Sequence, residues 1–385
     1  MAMKIIPNGR QLIDKKDINA VSSALKKDLI TTGSMVDKFE LKIKKFLKSK
    51  YTKVCSSGTA GLHLALMAIG VKKNDIIIMP AINFIAVYNL SKLMGAKVLL
   101  ADVDEFTGQM TPQTLNHCIK INKVKKIKAI ITMYLGGYPE NILDFYHIKK
   151  KYKCYIIEDA CHALGAKYKY KSKEYNIGSC RHSDIAVFSL HPLKTITTAE
   201  GGIICTNNKI LDYKIKLLRS HGIKKTKNHW IYDVIYYGYN YRLSDINCAL
   251  GISQLNKISR FLKKRSIVAK IYLKNLNKNF ILPKFNEKNV SSNHLFFIHL
   301  KNKSINFKNK LIKYMKNNKI NLHYHYIPIF KMNRIYKSKE NIDNTFTGST
   351  KYYNSTISLP IYFGISKKEQ NFVIKKLNNF IRINE

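Results

Sequence analysis

The sequence predicts an α/β protein, with a large domain built on a mainly parallel sheet covered by helices and a smaller C-terminal α/β domain. Three observations carry this expectation. Through the first two thirds of the 385 residues, short apolar runs bounded by Gly, Pro or Asp alternate with helix-period segments, the pattern of strands buried on both faces. From about Ser244 the apolar period lengthens into sustained helix. The remainder mixes a strand-like run with helical ones, enough for a second, smaller layer. A chain of this length, 45% hydrophobic, has the apolar side chains for one large core or two modest ones.

The strand candidates are residues 76–79, 97–100, 129–133, 155–157, 185–188 and 202–205. Between them, residues 60–69 read as a helix ended by Gly70, and residues 84–94 as another ended by Gly95. Residues 244–276 carry apolar positions at helical spacing (Leu250, Ile252, Leu255, Ile258, Leu262) and link the two domains, divided as residues 1–245 and 246–385. In the second, residues 294–300 read as a strand, residues 307–316 as an amphipathic helix, and a terminal helix starts at Lys367.

Composition narrows the function classes. The N-terminus lacks the apolar segment of a signal peptide and no stretch approaches a membrane span, so a cytoplasmic protein without a membrane partner is expected. Seven scattered cysteines with no C-x-x-C pair point to neither a disulfide framework nor a zinc site. The net charge of +43 favours polyanions and raises a basic nucleic-acid-binding or regulatory protein as the alternative of a different class. Yet the charge is mostly lysine mixed with Asn and Ile, residues sharing A/T-rich codons, and no helix-turn-helix signature accompanies it, so no nucleic-acid partner is expected.

Three segments could carry chemistry. Ser56-Ser57-Gly58-Thr59-Ala60-Gly61 precedes an apolar helix, where small residues, backbone N–H groups and hydroxyls can receive a phosphate; an ordinary N-cap reads the same way. Glu158-Asp159-Ala160-Cys161-His162 closes a buried strand, and the alternation of a strand sends Glu158 and Asp159 to opposite faces, so one of them enters a site. Taken alone, His162 reads equally as a core histidine. The third runs from Phe188 to Gly202. Lys194 follows a buried strand and precedes Gly201-Gly202, a position that would desolvate its amine and free it as a nucleophile, with Ser189 and His191 as upstream phosphate donors.

These segments, with Gly238-Tyr239-Asn240-Tyr241-Arg242, stand in an order that resembles the DegT/DnrJ/StrS family of sugar aminotransferases, over about residues 11–362. The resemblance implies the aspartate-aminotransferase type of fold and pyridoxal 5'-phosphate (PLP) as cofactor. It makes Lys194 the lysine that carries PLP and moves the proton, and Asp159 the partner of the pyridine nitrogen. Phe84 becomes the aromatic on the ring, His162 a residue beside it, and Gly58, Thr59, Ala60, Ser189 and His191 the phosphate cup. Asn240 would reach the phosphate of a neighbouring subunit, implying a homodimer with shared sites. Thr31, Thr32 and Gly33, Arg242, His325 and Tyr326 match segments near the substrate or the amino donor.

After the lysine most of the family carries Gly-Glu-Gly-Gly, whereas this chain has Thr197-Thr198-Ala199-Glu200-Gly201-Gly202. With Ser291-Ser292-Asn293-His294 and His325-Tyr326-x-Pro328, this resembles the branch acting in pseudaminic-acid biosynthesis. That implies transfer, with L-glutamate as donor, to the 4-keto carbon of a UDP-linked 4-keto-6-deoxy-N-acetyl sugar. Another nucleotide sugar, dTDP- or GDP-linked and 3- or 4-keto, is the alternative.

Overall fold

In the computed structural model, residues 4–226, 228, 230–276, 280–282, 284–301, 304–332 and 342–384 are described. A seven-stranded sheet organises the first half. Its strands lie in the order Tyr51–Cys55, Gly202–Thr206, Ile185–Ser189, Tyr155–Asp159, Ala129–Met133, Ile76–Pro80 and Lys97–Ala101. Six run parallel to one another; Gly202–Thr206 runs against both neighbours. The runs are continuously apolar because both faces are covered: Val187 and Ile204 pack into one core, while Ala186, Phe188, Ile203 and Cys205 pack into the other.

The first core is closed by the helix Gly58–Ala68, whose small and apolar residues bury almost all round. It is followed by Gly70 at φ 66°, the left-handed turn expected after a helix. Three departures from the sequence reading are local. Tyr51–Cys55 is a strand that its alternating polar residues concealed, with Lys53 facing Glu40 and Asp212 at the sheet's rim. The helix expected from residue 84 begins at Ala86, after a bend that leaves Phe84 exposed. The long helix expected over residues 244–276 is two, Asp245–Leu255 and Ile258–Asn275.

A second, three-stranded antiparallel sheet joins Phe280–Ile281, Phe296–Leu300 and Thr356–Leu359. The helices Ile305–Asn317 and Lys367–Asn384 pack with it around Leu311, Met315, Val373 and Leu377. The chain crosses between the two sheets more than once. Ile6 bridges to Ile320, and the N–H of Ile361 donates to the Asn8 carbonyl at 3.0 Å. In the other direction Ile329 and Phe330 bury in the first core, and the Ile329 N–H donates to Ala81 O at 3.0 Å. These crossings bring Asn8, Gly9, His325, Tyr326 and Ile361 to the carboxyl edge of the parallel strands, where the ligands of α/β folds sit. Among the described residues, no helix is long and apolar enough to cross a membrane.

Candidate active site

A cavity of 470 Å³ opens at that edge. Ten sequence-expected residues line it: Gly58, Thr59, Phe84, Asp159, His162, Ser189, His191, Lys194, His325 and Tyr326. Pleating separates the two acids as expected. Asp159 faces the cavity, while Glu158 turns to the other side of the strand and accepts from the Tyr134 hydroxyl at 3.0 Å.

Lys194 is placed by its turn. After the strand Ile185–Ser189 the chain folds back, with Lys194 N–H donating to His191 O at 2.9 Å and Leu190 N–H to Gly201 O at 2.8 Å. Thr197 Oγ1 donates to Leu190 O at 2.9 Å, and Asn247 Nδ2 holds Thr198 O at 2.6 Å. So fixed, the Lys194 amine is enclosed by protein, and burial lowers its pKa against the opposing pull of Cys161 and Asp159. Ala199, where most of the family carries Gly, adopts φ 66°.

Asp159 is buried, accepts from the Cys161 N–H at 3.3 Å, and has its carboxyl pushed upward by burial. Such a carboxylate is poised to share a proton with a ring nitrogen. At the helix N-terminus Ser57 Oγ caps the Ala60 N–H at 3.0 Å, which accounts for Ala60 and places it buried behind the cavity wall. Gly58 is required by space: a Cβ there would lie 2.9 Å from Ser189 Cβ and 3.3 Å from Cys161 Sγ.

His162 sits against the cavity with its polarity fixed from behind. The Gly136 N–H donates to its Nδ1 at 3.4 Å, and its Nε2 lies 3.0 Å from the Tyr326 hydroxyl. With Nδ1 accepting, the hydrogen is on Nε2, and the Tyr326 hydroxyl is free to donate into the cavity. Burial, then the charges of Lys194 and His325, drive the His162 pKa well down, so the imidazole is neutral. His325 bonds Ser358 Oγ at 2.9 Å, and its pKa falls to about 3 through burial. The Phe84 ring, 53% exposed at the mouth, tilts against Tyr326 at 5.9 Å.

Thr31, Thr32, Gly33, Asn240 and Arg242 lie outside the cavity lining. Thr31 is exposed on the segment before the helix Ser34–Leu47, held by Asp245, which accepts from the Gly33, Met35 and Val36 N–H groups at 3.0, 3.4 and 3.3 Å. Asn240 is exposed and bridges Ser220, and Arg242 is half-buried beyond it. This segment nevertheless borders the helix start, since Ser56 N–H donates to Tyr241 O at 2.9 Å. The cavity also takes residues not singled out from sequence: Asn8, Gly9, Cys161, Glu200, His294 and Ile361. His294 lay inside a quoted segment, and its ring stands 4.3 Å from that of His162. Asn8 and Ile361 carry no motif and arrive only through the chain crossings.

Residues 11–378 match the DegT/DnrJ/EryC1/StrS aminotransferase family. The chain belongs to this family. It is 37% identical, over 96% of each chain, to the UDP-4-amino-4,6-dideoxy-N-acetyl-beta-L-altrosamine transaminase of Campylobacter jejuni subsp. jejuni serotype O:23/36 (strain 81-176). Among solved structures it is similar to Helicobacter pylori PseC, an aminotransferase involved in the biosynthesis of pseudoaminic acid. The TM-score is 0.87 at 27% identity, covering 99% of this chain and all of that one. The PLP form of Streptococcus pneumoniae Spr1654 superposes at TM-score 0.90 and 24% identity over 98% and 99% of the two chains, a likeness of fold. The family membership gives the α/β fold of sugar aminotransferases and transaminase activity their place on this chain.

The cavity's groups fit PLP. A desolvated amine, a buried carboxylate and a helix start whose glycine keeps Cβ-sized space open match an aldehyde, a pyridine nitrogen and a phosphate in turn.

Proposed function

We propose that this chain binds PLP on Lys194 and transfers an amino group, with L-glutamate as donor, to the 4-keto carbon of a UDP-linked 4-keto-6-deoxy-N-acetyl sugar, in pseudaminic acid or related surface-glycan biosynthesis. The observation that carries the reading is the buried Lys194 amine facing one cavity with Asp159 and the Gly58 helix start. The 37% identity to an altrosamine transaminase over 96% of both chains supports the substrate class.

Bound PLP supplies the electron sink that lets an amino group pass between two carbon skeletons. Lys194 Nζ, whose pKa burial lowers, takes a proton from one carbon and returns it to the other. Asp159 holds a proton at the ring nitrogen, and Phe84 covers a ring face. The N–H groups of Gly58 and Thr59 with the Ser189 hydroxyl bind the phosphate, aided by the helix dipole. The Tyr326 hydroxyl, oriented by His162, offers a donor to an acceptor atom of the sugar.

The reading includes a homodimer with shared sites, in which Asn240 of each copy reaches the other's phosphate cup. In its support, the segment leading to Asn240 exposes Tyr232, Val234, Tyr237 and Tyr239, while Asn240 stays out of its own cavity. It places the chain division near residue 245 and the protein in the cytoplasm, in keeping with seven free thiols. Purified protein should be yellow, and borohydride should fix the cofactor on the peptide holding Lys194; full transaminase turnover in Lys194→Ala would refute the assignment. Offered L-glutamate with the L-altro 4-keto sugar, its D-gluco epimer or a dTDP-linked 3-keto sugar, the enzyme should favour the first. Preference for the last overturns the substrate and leaves the transaminase standing.

A further inference from the structure

Behind the cavity, away from the substrate side, lies a second cation. Arg265 is on the inner face of the helix Ile258–Asn275 and only 4% exposed. Its Nη1 donates to three backbone carbonyls, Asn293 O at 3.3 Å, His294 O at 3.1 Å and Ile361 O at 3.0 Å. No carboxylate among the described residues pairs with it. Burial lowers its pKa to about 10, so it stays charged at neutral pH. A buried, unneutralised guanidinium is costly to keep, and hydrophobic replacement of such a group is often tolerated or stabilising. Its location is therefore informative. Arg265 and Lys194 both line a hollow of 10 Å³, together with Thr195, Thr197, Phe261 and, at its exposed rim, Arg10. That is about the room of one water, which brings the two groups close to one another.

We propose that Arg265 is a positioning residue of the reaction, whose buried charge acts across this hollow to favour the nucleophilic form of the Lys194 amine over its ammonium. The groups around Lys194 pull both ways. Burial is the largest influence and favours the free amine; Asp159 on the cavity side favours the ammonium, and Arg265 opposes it. His162, His294 and His325 are held neutral by burial and by neighbouring positive charge. Arg265 thus offsets the carboxylate that the ring nitrogen requires: Asp159 can stay at the site without turning the lysine into its ion-pair partner. The carbonyls it gathers belong to Asn293, His294 and Ile361, two of them cavity-lining residues, so the same guanidinium also ties the cavity wall to the lysine turn.

The inference rests on the reading of Lys194 as the nucleophile, and its test is independent of the cofactor. Full-length protein stripped of cofactor is labelled with an amine-acylating reagent across a pH series, and the rate at Lys194 is read by peptide mass spectrometry. In Arg265→Gln, whose amide still donates to the carbonyls, and in Arg265→Met, the pH of half-maximal labelling should rise by about one unit, a roughly tenfold loss of Lys194 reactivity at neutral pH. Arg265→Lys, which keeps a charge but not the planar fork, should stay close to the parent profile. A parent-like profile in Arg265→Gln would overturn the proposal. So would a shift in Arg265→Lys as large as in Arg265→Gln, because carbonyl anchoring and not charge would then be the cause. Borohydride fixation of the cofactor tests the nucleophile reading separately.

Discussion

Glu158 and Asp159 are adjacent, both buried, and opposite in use. Asp159 faces the cavity, whereas Glu158 is enclosed against Tyr134, and burial raises its pKa from 4.5 to about 7. A raised folded-state pKa means that Glu158's contribution to stability is whole below about pH 4.5 and is lost as pH climbs through about 7. Glu158→Gln keeps an acceptor for the Tyr134 hydroxyl without the charge. Its melting temperature should exceed the parent's by roughly a few degrees at pH 8.5, and the gap should close at pH 5. Gly58→Ala makes the complementary test on the cavity side. A methyl 2.9 Å from Ser189 Cβ must displace the turn or narrow the cup, so we expect about 1–3 kcal/mol lost from stability and PLP affinity weakened, as absorbance titration would show. That Lys194, Asp159, Gly58, Thr59 and Ser189 meet at one cavity was legible in the sequence because each stands at a strand end or helix start marked by local order. Asn8 and Ile361 were not, since only tertiary crossings bring them there.

At the scale of elements, strands buried on both faces announced themselves as unbroken apolar runs, and all six expected ones are present. Tyr51–Cys55 hid because its outward residues pair with charge, and the break at residues 256–257 hid because the apolar period continues across it. One connection between elements has a functional reach. Asp245, fully buried, caps the helix Ser34–Leu47 from a distant helix, and its N–H binds Ile30 O at 3.1 Å, so it fixes both ends of the segment carrying Thr31. Asp245→Ala leaves those N–H groups without their acceptor. A loss of about 2 kcal/mol should appear in chemical denaturation. If residues 31–33 meet the sugar, steady-state kinetics should show a raised KM with kcat nearly unchanged. The turn at Ala199 offers a gain: Ala199→Gly relieves a left-handed alanine at φ 66° and should stabilise by about 0.5–1 kcal/mol in the same assay.

For the whole molecule, the proposed dimer with shared sites yields a count. Mixing Lys194→Ala subunits, which lack the nucleophile, with Asn240→Ala subunits, which lack the reach across the interface, leaves one intact site in each mixed dimer. With random exchange, activity should recover to about a quarter of the parent's sites, and no recovery after proven exchange would mean each copy works alone. The sequence suggests this arrangement only through family resemblance, because no periodicity would mark a residue whose role lay on another copy.

The hydrogen bond from Asn8 to Ser358 joins residues 350 apart, and Ile361 closes the cavity by holding Asn8. On the ribosome, then, this enzyme is late to ripen. The lysine, its acid and the phosphate cup all emerge within the first two hundred residues, yet the pocket lacks a wall until residue 361 has left the exit tunnel and found residue 8. Nascent chains arrested before that point should hold PLP loosely or not at all, and chains arrested well beyond it should hold it as the released protein does.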